Sequence, residues 1–130
     1  MKIEHFALQV ADPSSMAQWY VVHFGMRIQR SLGAPSQTHF LAASDGAVLV
    51  EIYHNQAVPL PDYPNMDPLL LHLAFCCEDM TKTIPRLAEA GAVLVSPPSL
   101  TAAGDEIAML RDPWGLAVQL VKRKQAMLPT

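Results

Sequence analysis

The 130-residue chain has only two cysteines, Cys76 and Cys77, and they are neighbours. Adjacent strand residues point to opposite faces and make poor disulfide geometry, so no disulfide framework is expected and a stapled secreted scaffold is excluded. The preceding Leu73-Ala74-Phe75 is apolar, a setting that predicts buried structural cysteines rather than a catalytic thiolate. No segment approaches the roughly 18 uninterrupted apolar residues that mark a membrane span. The start, Met1-Lys2-Ile3-Glu4, lacks the charged region and apolar stretch of a secretory signal, so a cytoplasmic protein with no membrane partner is expected. Charge is scarce too, at 16% of residues. Nine Lys and Arg against twelve Asp and Glu leave a net charge of −3, and Lys122, Arg123 and Lys124 sit together near the C-terminus. The remaining body is acidic, which excludes the electrostatic footprint of a nucleic-acid binder, and the basic run reads as a solvated strand end. What the chain does have is apolar side chains, 51% of the total. A chain of this length and composition buries roughly 65–70% of its unfolded surface, which excludes disorder and a collagen-like chain.

The sequence repeats. When His5 is placed over His72, the apolar runs Ile3–Leu8 and Leu70–Phe75 superimpose, and Asp12 and Asp79 fall into register. After Asp12, Pro13 suits the first turn of a helix, Met16, Tyr20 and Phe24 recur at fourfold spacing, and Gly25 ends it. In the second half Asp79 or Thr81 can cap a helix with Met80, Ile84, Leu87 and Ala88 on its apolar face, stopped by Gly91. Pro85 favours Thr81 as the cap, because that start keeps the proline nearer the first turn. Three strand signals follow each helix: Met26–Leu32, Gln37–Ala43 and Ala47–His54, then Val93–Pro97, Glu106–Arg111 and Leu116–Lys122. Ser44-Asp45-Gly46 and Asp112-Pro113-Trp114-Gly115 are matching turns before the last strands. The chain is thus read as one α+β domain made of a module over 1–54, an extended proline-rich linker over 55–68, a second module over 69–123 and a tail over 124–130.

Four polar residues interrupt apolar strands: His5, Glu51, His72 and Gln119. Burying a polar group without a partner costs on the order of 2–7 kcal/mol, so each needs a local or a shared partner. The repeat makes His5 equivalent to His72 and Glu51 equivalent to Gln119, on four symmetry-matched strands. Two imidazoles, a carboxylate and an amide oxygen form a donor set for one divalent transition metal such as Ni, Zn, Co, Mn or Fe.

With these residues in place, the pattern resembles the vicinal oxygen chelate superfamily, which includes glyoxalases, bleomycin-resistance proteins and extradiol dioxygenases. The likeness runs from Lys2 to about Lys122 and includes the Asp-Pro-x-Gly turn at Asp112–Gly115. It implies two tandem βαβββ modules whose curved mixed sheets enclose a central cavity, with metal ligands at His5, Glu51, His72 and Gln119. It also implies a small-molecule substrate and a homodimer.

The pattern is most similar to the glyoxalase I branch, which isomerises the hemithioacetal of glutathione and methylglyoxal. Glu51 and Asn55 fall on a ligand and on a glutathione-contacting asparagine. The branch's arginine after the first histidine is Gln9 here, and its final glutamate ligand is Gln119. The expected activity is that of a metal-dependent isomerase or lyase in which Glu51 is both ligand and base, with Gln9, Tyr53, Asn55 and Arg111 as substrate contacts. Two other readings stand beside it. A metal-free binder of the bleomycin-resistance type would use Trp19, Tyr53, Tyr63 and Trp114, and an Fe(II) extradiol dioxygenase would use two histidines and a carboxylate. His39 and His54 are read as surface or supporting histidines.

Overall fold

The computed structural model describes residues 1–128, so residues 129 and 130 of the expected tail lie outside the described residues. Its backbone divides into two compact units, Met1–Pro61 and the chain from Asp62 onward. Each unit is a βαβββ module, an α+β arrangement built on a four-stranded mixed sheet.

In the first unit the elements are β1 (His5–Gln9), α1 (Pro13–Phe24), β2 (Arg27–Ser31), β3 (His39–Ala42) and β4 (Leu49–Tyr53), in the sheet order β1-β4-β3-β2. The first strand runs parallel to the last, and the other pairings are antiparallel. Helix α1 starts where the sequence predicts. The Asp12 carboxylate accepts from the Ser15 amide at 3.1 Å, Pro13 fills the first turn, and Gly25 closes the helix at φ +67°. Pro13, Met16, Ala17 and Tyr20 form its buried stripe, whereas Phe24 is half-buried. In β4 only Val50 and Ile52 are buried, and Leu49, Glu51 and Tyr53 alternate onto a half-open face. Glu51 therefore does not break a fully buried strand. The apolar run conceals a period-2 alternation, the pattern of a sheet with one closed face.

The second unit contains a 3₁₀ turn, Tyr63–Asn65, then β5 (Leu73–Cys76), α2 (Met80–Glu89), β6 (Val93–Leu100), β7 (Glu106–Arg111) and β8 (Ala117–Lys122). Its sheet order, β5-β8-β7-β6, copies the first, again with the outer pair parallel. Several expectations are corrected here. The 3₁₀ turn falls inside the segment read as extended. The cap of α2 is Asp79, not Thr81: its carboxylate accepts from Lys82 N at 3.1 Å. Starting there buries Met80, only 3% exposed, and that gain outweighs the lost hydrogen bond at Pro85, which stays inside the helix. Ala88 is exposed rather than on the apolar face. Strand β6 runs on through Pro97 and Pro98, which an edge strand tolerates, with register shifts on both sides of Ser96. Cys77 is buried but Cys76 is exposed, and both are free.

The turn before β8 depends on two residues. Asp112, 3% exposed, accepts from Trp114 N and Leu116 N at 2.9 and 3.0 Å. Gly115 has φ +90°, and a Cβ there would meet the Pro64 ring at 2.4 Å and its backbone at 2.7 Å. Gly115→Ala therefore combines a left-handed backbone with a steric clash and should cost at least about 2 kcal/mol, read as a fall in denaturation midpoint.

Asp12→Ala and Asp79→Ala should each destabilise by about 1 kcal/mol, read by urea melts. The Ser15 side-chain and backbone hydrogen bonds hold the Asp12 carboxyl below its ordinary value of 3.8. Its contribution is complete above the unfolded-state value and lost as pH falls through the lower folded value. The stability difference between wild type and Asp12→Ala should accordingly shrink on acidification below about pH 4.

Candidate functional site

Parallel pairing of β1 with β4 sets Ala7 opposite Glu51, so His5 stands two residues before Glu51's partner. This register brings His5 Nε2 to 3.1 Å from Glu51 Oε2. The other ring nitrogen, Nδ1, is hydrogen-bonded to the Glu4 carboxylate, and the Phe40 ring meets the imidazole edge-on with centroids 5.7 Å apart. The hydrogen bond to Glu4 holds the His5 pKa above its ordinary value of 6.5, helped by the charges of Glu4 and Glu51 and opposed by desolvation.

The second unit repeats the register. Ala74 is opposite Gln119, and His72 stands two residues before Ala74. His72 lies just ahead of β5 rather than inside a strand, because the turn at Asp67 holds the Leu69 and Leu70 amides. Its Nδ1 is 2.8 Å from the Pro68 carbonyl. A carbonyl only accepts, so Nδ1 carries the proton and Nε2 is the nitrogen left for a ligand. That is the tautomer a metal-binding histidine uses, with its other nitrogen tied to a carbonyl or carboxylate. Among the described residues no group of three or more His, Cys, Asp or Glu side chains is gathered closely enough to hold an ion. The structure thus brings His5 to Glu51 within the first unit and matches His72 to Gln119 by register within the second.

Glu51 also lines a cleft of about 490 Å³ in the first unit, with Pro35, Ser36, Thr38, Tyr53, His54, Asn55, Gln56 and Ala57. Tyr53 and Asn55, expected substrate contacts, are on this lining. Gln9 and Arg111 are not, and their side chains are committed elsewhere. Gln9, 6% exposed, donates from Nε2 to the carbonyls of Asn55 and Val58 at 2.7 and 2.9 Å, and its Oε1 accepts from Asn55 N at 2.8 Å. Arg111 donates to the carbonyls of Tyr63, Gly115 and Met66 at 2.8 to 3.0 Å, tying the 3₁₀ turn to the turn before β8. A guanidinium on three carbonyls holds structure, a use that its position in the sequence does not reveal. His54, read from sequence as a surface or supporting histidine, lines the cleft and hydrogen-bonds the Val10 carbonyl through Nδ1 at 2.9 Å. The signal that could have found it is its place directly after the strand that carries Glu51 and Tyr53.

Residues 2–120 match the family model described as the Glyoxalase/Bleomycin resistance protein/Dioxygenase superfamily. A Vibrio cholerae protein named "Probable lactoylglutathione lyase" is 28% identical over 132 residues, covering 96% of this chain and 93% of its own. Among solved structures, a glyoxalase family protein from Bacillus cereus superimposes with a TM-score of 0.78 at 14% identity, covering 94% of this chain and 93% of that one. An antibiotic binding protein from a Streptomyces species does so with a TM-score of 0.72 at 18% identity, covering 95% and 97%. Both likenesses are of fold. No helix among the described residues is long and apolar enough to cross a membrane.

Glu4→Gln removes the carboxylate charge beside His5 Nδ1 and should bring the His5 titration midpoint down toward 6.5, followed by ring-proton NMR. An unmoved midpoint would contradict the assignment of Glu4 as the main cause of the shift.

Proposed function

The chain belongs to the glyoxalase/bleomycin resistance protein/dioxygenase superfamily, and from that premise we propose that it is a metal-dependent isomerase or lyase acting on a small substrate with vicinal oxygens. The observation that carries this reading is the facing pair His5 Nε2 and Glu51 Oε2, 3.1 Å apart, whose carboxylate also lines the cleft. A divalent metal goes with the superfamily and with the name of its Vibrio relative, and the donor types, two imidazoles, a carboxylate and an amide oxygen, suit one. His5 and His72 each have Nδ1 engaged, by Glu4 and by Pro68, so that Nε2 is the coordinating nitrogen. Glu51 adds a carboxylate oxygen and Gln119 an amide oxygen. We assign His5, Glu51, His72 and Gln119 as ligands of one Ni, Zn, Co, Mn or Fe ion, in a cytoplasmic homodimer.

A divalent ion held by these residues would supply Lewis-acid stabilisation of the negative charge that develops on the substrate oxygens. Proton movement belongs to the protein. Glu51 is the carboxylate of the set and takes a proton from the carbon next to the carbonyl and returns it to the neighbouring carbon; the Gln119 amide cannot, and the two imidazoles are assigned to the metal through Nε2. One carboxylate suffices because the proton is returned to the same substrate. Tyr53, His54 and Asn55 line the cleft beside Glu51 and contact the remainder of the substrate.

Glu51→Gln should lower turnover by at least about a thousandfold while the melting curve stays cooperative, measured on the hemithioacetal of methylglyoxal and glutathione. Undiminished activity in that variant would sink the mechanism. Wild-type protein should contain stoichiometric metal after purification and gain melting temperature on addition of Ni²⁺, Zn²⁺, Co²⁺ or Fe²⁺. Absence of both would favour a metal-free small-molecule binder.

A further inference from the structure

The wall of the cleft is built from a loop that has almost no support of its own. Asn55, Gln56 and Ala57 line the cavity and are all exposed. The loop's internal bonds are two: Asn55 Oδ1 accepts from Ala57 N at 2.9 Å, and Val58 N donates to the Asn55 carbonyl at 3.1 Å. Such a turn frays readily in water, since its amides exchange protein partners for solvent at little cost. What ties it to the sheet is β1. Val10 N donates to the Tyr53 carbonyl at 2.8 Å, and His54 Nδ1 donates back to the Val10 carbonyl at 2.9 Å. Beyond that point Gln9 takes over, gripping both polar groups of the Asn55 backbone and the Val58 carbonyl.

From this geometry we propose that Gln9 is a positioning residue that sets substrate specificity by holding the 55–58 wall of the cleft. The residue type suits the task. An amide is the side chain that can donate twice and accept once while carrying no charge, and at 6% exposure a charged side chain would bear a desolvation cost. A leucine of similar bulk would leave the Asn55 amide and the Val58 carbonyl to find water and would take one of two donors from the Asn55 carbonyl, and the loop would have to leave the sheet to do so. Because Glu51 lies within β4, opposite Ala7 on one side and Phe40 on the other, it keeps its place when the loop moves. Loosening the wall therefore alters how the remote part of a substrate is held and leaves the reacting end alone.

The role in substrate fit rests on the reading of this cleft as the active site; the role in holding the loop does not, and the experiment separates the two. Gln9→Leu and Gln9→Met are compared with wild type in the full chain. Hydrogen exchange at the Asn55 amide should accelerate by at least about tenfold in both variants, with the Val50 and Ile52 amides unchanged. In Co²⁺-loaded protein the visible absorption spectrum should be the same in all three. On the hemithioacetal of methylglyoxal and glutathione, KM should rise by about tenfold and kcat change by less than about threefold. An unchanged Asn55 exchange rate overturns the inference outright, as does a fall in kcat at constant KM. If wild type does not turn over that hemithioacetal, the proposed activity fails and the exchange rates alone decide whether Gln9 holds the wall.

Discussion

Parallel pairing between the first and last strands of each unit is the constraint on which the rest of the molecule depends. Antiparallel neighbours can be joined by a short turn, but a parallel pair needs a long connection; here that connection is a helix and two further strands. The return of β4 beside β1 sets His5 against Glu51 and brings Gln9 beneath the loop that follows β4. The same return in the second unit sets Ala74 against Gln119. A slip of one residue in either pair would turn every side chain on the strand to the other face. The Glu51 carboxylate would then enter the closed side with Val50 and Ile52, at a cost no single hydrogen bond recovers.

Polar groups placed in such apolar strands persist because each is given a partner by a different device. Glu51 lies on the half-open face opposite an imidazole. Gln9 and Asp112, both nearly buried, hold backbone groups of adjacent loops. Arg111 uses its planar fork on three carbonyls. No buried side-chain nitrogen or oxygen among the described residues lacks a hydrogen-bond partner. The two histidines are treated alike in one further respect: each has Nδ1 occupied, in one case by a carboxylate and in the other by a carbonyl. Two unrelated local contacts thus leave the same ring nitrogen, Nε2, without that local tie in both halves of the repeat.

The internal repeat was legible because it is written in signals that act over a few residues. Asp12 and Asp79 cap their helices in the same way, and the two sheets have the same strand order. Where local rules competed, the reading failed. Pro85 argued for a later helix start, but burial of Met80 decided for Asp79. Pro97 argued for the end of a strand, but an edge position made it harmless. The candidate residues divide similarly. Polar interruptions of apolar runs pointed to His5, Glu51, His72 and Gln119, and the structure brings the first two of these together; that Gln9 and Arg111 hold backbone carbonyls was not legible, because nothing in their neighbours discloses what a long side chain will reach.

The sequence by itself determined the two βαβββ units, their caps and turns, and which polar residues stand at matched places, because each of these follows from residues within a turn or a strand of one another. Only the tertiary structure decided what those polar groups touch. Gln9 meets Asn55, Arg111 meets Tyr63 and His5 meets Glu51 across more than forty residues of chain. Such contacts are fixed by sheet register and loop path, which depend on how the whole apolar face of a unit is buried rather than on any local preference.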